Sequence, residues 1–144
     1  MAGHLIAKFG KRANDCCAII PYAARQIFAP LNPSYLTWGG AFGVDAEAAW
    51  TMPRDGTLDP LVINVDFNDL TGVAIYKVRI SRRCNQAFAD SGITISVPAA
   101  TTGCFESNKK VKVKKGDRVS LELTATGVTS GSIRTNGGLS VGPP

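Results

Sequence analysis

The sequence holds a single histidine, His4, and that shortage removes most hydrolytic chemistry at once. A serine or cysteine nucleophile needs a base within hydrogen-bond reach, and a lone histidine near the chain start is read as solvated. No Gly-x-Ser-x-Gly elbow occurs. The four cysteines, Cys16, Cys17, Cys84 and Cys104, lack the spacing of a zinc knuckle or a redox pair. They are expected as small, mostly buried thiols in a reducing compartment, and the spacing leaves open whether Cys84 and Cys104 meet across a sheet. Acids are scarce too, 11 against 16 Lys and Arg, for a net charge of +5. Asp55, Asp69, Asp90 and Asp117 sit near Gly or Asn, so they read as turn residues before they read as the paired carboxylates of a glycosidase. Asp66, Asn68 and Asp69 gather oxygens, but calcium takes six or more, and Asx bonds in a turn are the plainer reading. Gly39-Gly40-Ala41-Phe42-Gly43 lacks the lysine and the strand–helix setting of a phosphate loop. No enzyme, cofactor or metal is therefore expected. No apolar run reaches the roughly 18 residues of a membrane span, and MAGHLIAKFGKRANDCC has no h-region ahead of a cleavage site. The expectation is a cytosolic chain, or one that leaves the cell by lysis or inside a particle.

What the chain has in quantity is turn chemistry and alternation. Fifteen Gly and eight Pro punctuate short apolar runs, the pattern of an all-β protein. The clearest stretch is Lys109–Thr126, KKVKVKKGDRVSLELTAT. Val111 and Val113 alternate with lysines, and Val119, Leu121, Leu123 and Ala125 alternate with Arg118, Ser120, Glu122 and Thr124. A period of two puts one set on each face of a strand. With Lys115-Gly116-Asp117 as a turn, this predicts an antiparallel pair with one wet face. Leu61, Ile63, Val65 and Phe67 predict another strand. Val73–Ser81 shifts phase between Ile75 and Tyr76, which either a β-bulge or burial on both faces would produce. Ile93–Val97 is a strand stopped by Pro98. Shorter strands are expected at 34–38, 47–52 and 101–106, and at 132–135 and 139–141 around an Asn136-Gly137-Gly138 turn. The sum is about eight strands and no long helix: an all-β antiparallel sandwich or barrel, with a jelly roll as the specific expectation.

The domain is expected over residues 34–144, with residues 1–33 as an extended N-terminal arm. The arm carries Lys8, Lys11, Arg12 and Arg25 against Asp15, and its apolar pieces are broken at Gly10, Pro21, Pro30 and Pro33. Tyr22–Phe28 is the place for a short helix. Apolar side chains on an arm require a surface, on this domain or on a neighbour. Ile19, Ile20, Tyr22, Arg25, Ile27 and Phe28 are the candidate partner-binding residues. The second basic stretch, 109–118, is expected to be the solvated face of an exposed strand that discourages stray edge pairing. Nucleic acid is not the expected partner, because no aromatic residues interleave with the lysines as stacking platforms. Trp50 and Tyr76 are assigned to the core, while Tyr35 and Trp38 are left open as a possible sugar-binding face.

From Glu47 onward the order of motifs resembles a known class. The elements are Met52-Pro53-Arg54-Asp55-Gly56-Thr57-Leu58, Leu61–Val65, Tyr76–Ile80, Ile93–Ala99, Thr101–Phe105 and Val111–Leu121 with its Lys-Gly-Asp-Arg-Val-Ser-Leu step. The arrangement resembles the small jelly-roll domains of tailed-phage virion proteins, both head-decoration (cement) proteins and fibre or tail appendages. The Gly-Asp-Arg-Val-Ser-Leu step also resembles the complement and tumour-necrosis-factor type of jelly roll, which is typically trimeric. Where that pattern often has an Asn-Gly turn, this chain has Ser81-Arg82-Arg83-Cys84-Asn85. The resemblance implies a structural virion protein on the capsid surface, made in a host cytoplasm. It would bind the major capsid protein and itself as a homotrimer, with no membrane partner; the alternative is a receptor- or glycan-binding appendage domain. In that picture the arm clasps the capsid, and deleting residues 1–28 would abolish binding while leaving the β-domain folded.

Overall fold

In the computed structural model the described residues are 18–28, 33–37, 40–42, 45–83, 86–127 and 130–144. They form eleven strands and one helical turn. In chain order these are β1 (Ala18–Phe28), β2 (Ser34–Thr37), β3 (Gly40–Phe42), α1 (Asp45–Ala48), β4 (Trp50–Thr51), β5 (Gly56–Asn68), β6 (Val73–Ser81), β7 (Ala89–Val97), β8 (Gly103–Ser107), β9 (Val111–Val113), β10 (Arg118–Thr126) and β11 (Ser132–Gly142). Two antiparallel sheets result. The first runs β1-β11-β5-β8, with β9 continuing beside β5; the second runs β3-β2-β10-β6-β7, with β4 beside β10. The pairs nest: β1 with β11, β2 with β10, β5 with β8 and β9, and β6 with β7. Successive pairs fall in alternate sheets, as if one long hairpin had been rolled up.

Alternation explains which faces meet. Leu61, Ile63 and Val65 of β5 and Leu139 and Val141 of β11 are buried against Tyr76, Val78 and Ile80 of β6 and Val119, Leu121 and Leu123 of β10. Fully burying each such side chain contributes about 1.5–3 kcal/mol. Tyr76 also ties the layers with a polar bond, its hydroxyl meeting Thr135 Oγ1 on β11. Burial pushes its pKa up to about 12, against the smaller opposing effect of that bond.

Several sequence expectations change here. β9 and β10 do not pair with each other: β9 lies on β5 and β10 lies between β6 and β2, so Lys115-Gly116-Asp117 carries the chain from one sheet to the other. The alternation is preserved, but the nested order chooses other partners. The Asn136-Gly137-Gly138 step is not a turn, since β11 runs straight through it between β1 and β5. Strand β5 begins before Pro60, at Gly56, because Asp59 and Pro60 fall at an irregularity opposite Ser140, where a residue without an N–H is tolerated. β6 has no bulge: it pairs continuously with β10, with Ala74, Tyr76, Val78 and Ile80 inward. The irregularity lies across from it in β7, between the partners of Lys77 and Arg79. The strand expected over 47–52 is reduced to β4, Trp50–Thr51, with Glu47 and Ala48 in the helical turn α1.

The arm also changes. Tyr22–Phe28 is strand, not helix, and β1 is an outer strand of the first sheet. A boundary at Pro33 therefore does not separate residues 18–28 from the sandwich. Removing residues 1–28 would take out a strand of the domain along with anything it touches outside.

Candidate functional site

The six candidate partner-binding residues divide. Ile20 and Tyr22 point inward and are buried in this domain's own core, and Ile27 packs partly against it. That corrects their assignment as contacts to another subunit: inward positions of a paired strand have no surface to offer. Ile19 points outward and is 63% exposed. Arg25 falls at the β1 irregularity and Phe28 pairs with Ser132; their side chains lie outside the described set. The Tyr22 hydroxyl has no hydrogen-bond partner among the described residues, and burial pushes its pKa up.

Ile19 belongs to a larger surface, the outer face of the first sheet. Register places Ile19 beside Ser140, Pro21 beside Gly138, Gly138 beside Val62, and Val62 beside Glu106. Asn136 lies beside Asn64, and Asn64 beside Cys104. Val62 and Phe67 are each 37% exposed. Among the described residues, the charges on this part of the face are Glu106 and, beyond it, the Arg134–Asp66 pair at 2.9 Å. Cys104 is exposed, with its thiol 3.7 Å from Asn64 Oδ1, which corrects the expectation of a buried thiol at that position. Cys16, Cys17 and Cys84 lie outside the described residues, as does Trp38. Sequence reasoning missed Val62 as a surface residue, although the signal was there: in the β5 alternation it occupies a polar-face position.

The second surface is charged. A hollow of about 460 Å³ is lined by Arg82, Arg83, Lys112, Lys114, Lys115 and Asp117. Asp117 is buried and accepts the Lys114 N–H at 2.9 Å, Arg82 Nη1 at 2.8 Å and the Arg83 N–H at 3.2 Å. Burial pushes its carboxyl pKa up, but these donors outweigh burial and hold it below the ordinary range. Arg82 Nη1 also donates to the Lys112 carbonyl at 3.0 Å. Turn and loop are thus pinned together, with the cations arrayed around a spent carboxylate.

Other clusters carry less. On the outer side of the second sheet, buried Glu122 takes the Tyr35 hydroxyl at 3.2 Å and pairs with Arg79 Nε at 3.5 Å. Arg79 in turn donates to the Phe88 carbonyl at 3.1 Å, and the Arg118 guanidinium lies 4.9 Å from the Phe88 ring centre. This is a covered polar patch, and Tyr35 is one of its fixed members rather than an open sugar platform. Trp50 reverses its core assignment: it is 43% exposed, over a small apolar slot of about 120 Å³ shared with Ile19, Met52, Pro53 and Val141. Asp66, Asn68 and Asp69 turn to separate partners. Asp66 takes Arg134, Asn68 donates to the Pro98 and Thr101 carbonyls, and Asp69 accepts the Ser132 N–H. Among the described residues no group of three His, Cys, Asp or Glu is placed to hold a metal ion, and no helix is long and apolar enough to cross a membrane. No known protein family matches this chain, and no curated protein matches it.

Proposed function

We propose that this chain is a structural subunit of a virion, a decoration or cement protein that binds the outer capsid of a tailed phage as a homotrimer. The observation that carries this reading is the open outer face of the first sheet. Ile19, Val62 and Phe67 are exposed there among Pro21, Gly138, Asn64, Asn136 and Ser140, with Glu106 and the Arg134–Asp66 pair alongside. Exposed apolar side chains on one sheet face, in a chain of net charge +5, are suited to be covered by another copy of the chain. The nested strand pairing supports the jelly-roll form, and the motifs that resemble phage virion jelly rolls fall on β5 to β10 and their turns. Capsid binding would then add buried area across subunit joints and resist internal pressure.

Light scattering tests the assembly. The expected mass is three times 15.2 kDa, and Val62→Lys should give a monomer that keeps the wild-type circular dichroism spectrum. Co-sedimentation with capsids that lack their decoration protein tests the partner. A wild-type monomer that also fails to sediment with capsids would sink the proposal. The reading as a receptor- or glycan-binding appendage domain draws on one observation, the exposed Trp50 over its apolar slot.

A further inference from the structure

The basic hollow contains more positive charge than the fold uses. Of its lining, Arg82 is paired with Asp117. Among the described residues no carboxylate forms an ion pair with Arg83, Lys112, Lys114 or Lys115. At the rim, Asp55 accepts the Lys115 backbone N–H at 2.9 Å, which leaves the Lys115 ammonium unpaired. Arg83 holds a backbone φ of 56°, a left-handed conformation that costs a non-glycine residue energy and is kept where the surroundings enforce it. Here the enforcing contact is the Asp117 carboxylate on the Arg83 N–H. Asp117 thus fixes the backbone at Lys114 and Arg83 and neutralises Arg82, and four further cations stand around the same hollow.

The geometry narrows what enters. The free edge of β9 is already capped, its Lys112 carbonyl by Arg82 and the following Lys114 N–H by Asp117. A ligand cannot add here as a further strand through main-chain bonds, so side-chain charge must do the recognition. No aromatic residue lines the hollow, so bases would find no stacking surface. Lys112 and Lys114 are two residues apart at the end of a strand, which spaces them by about 6.6 Å. Alternate side chains of an extended peptide have the same spacing. We infer that this hollow binds a carboxylate-rich, extended protein segment, with Arg83, Lys112, Lys114 and Lys115 as the binding residues. The inference does not rest on the virion reading, and the free chain is enough to test it.

The test is fluorescence anisotropy of the full chain with a labelled twelve-residue peptide of alternating Glu and Ser, at low salt, against the same peptide with Gln for Glu. Saturable binding of the Glu peptide alone is expected. The double variant Lys112→Ala/Lys114→Ala should weaken it by about tenfold or more, with an unchanged unfolding midpoint because both side chains are exposed and unpaired. Lys109→Ala, a cation outside the hollow, should leave affinity unchanged. Absence of binding, equal affinity of the double variant, or an equal loss on Lys109→Ala would each overturn the site. Tighter binding of a single-stranded oligonucleotide of matched charge would overturn the choice of ligand. Loss of the trimer with retained peptide binding would separate failure of the assembly reading from failure of this one.

Discussion

Asp117 begins as a turn residue and ends as a tie between two sheets. In the chain it follows Lys115-Gly116, and its carboxylate takes the Lys114 N–H three positions back, a contact that stays within the turn. Its bonds to Arg82 and to the Arg83 N–H reach across 35 and 34 positions, and nothing in local pattern announces them. The pKa direction gives the pH dependence. The folded-state pKa lies below its ordinary value of 3.8, so the unfolded chain takes up the proton first as pH falls. Asp117 therefore contributes its full stability above the unfolded value and loses it as pH drops through the folded one. Asp117→Asn should lower the melting temperature at pH 7 by the equivalent of about 2 kcal/mol and should flatten the wild-type decline on acidification. Thermal melts from pH 6 to pH 2 would show this; parallel declines in both proteins would refute it. The aromatic residues make the same point about reach. Tyr76 was legible as core because it sits in an alternating run, whereas Trp50, in a strand of two residues, had no run to give it an inside.

At the scale of elements, β11 is where local reading and structure part most clearly. Asn136-Gly137-Gly138 has the composition of a tight turn, yet it lies mid-strand with neighbours on both edges. The glycines are there for closeness. A Cβ on Gly137 would overlap the Val62 carbonyl oxygen and lie 2.9 Å from the Ile63 Cα, and one on Gly138 would lie 2.9 Å from the Ile19 side chain. Backbone is the obstacle at Gly137, and backbone of a central strand yields at a cost. Gly137→Ala should thus destabilise by about 2 kcal/mol or more, read from the midpoint of denaturant unfolding, while Gly127→Ala, with open space at its Cβ but a positive φ of 69°, should cost about 1 kcal/mol. Equal effects would show that crowding at Gly137 is not the reason for the glycine. β1 illustrates the converse. Breakers around residues 18–28 suggested an arm, but Ile20 and Tyr22 alternate, and that alternation was the sign of a strand.

For the whole molecule, the nested pairing sets which faces remain open. The first sheet covers one side of the core and leaves its own outer side bare at Ile19 and Val62. Cys104 stands on that outer side beside Asn64, and so reports on whether the face is covered. If copies associate through it, thiol modification at Cys104, followed by peptide mass mapping, should be slower in the wild-type protein than in Val62→Lys at the same concentration. Equal rates would mean that the oligomer, if formed, uses another surface.

The sequence by itself determined that the protein is all-β, that Leu61, Ile63 and Val65, Ile93, Ile95 and Val97, and Val119, Leu121 and Leu123 face inward, and where several strands stop, because period-two alternation, Gly, Asp and Pro act within a few residues of where they stand. Only the tertiary structure decided which strands pair. It separated β9 from β10, joined β1 to β11, ran β11 through its glycines and gathered Arg82, Arg83 and Asp117 beside Lys112. Each of those outcomes depends on contacts between residues tens of positions apart, where closing the long loop is compensated by burial in a shared core rather than by any local preference.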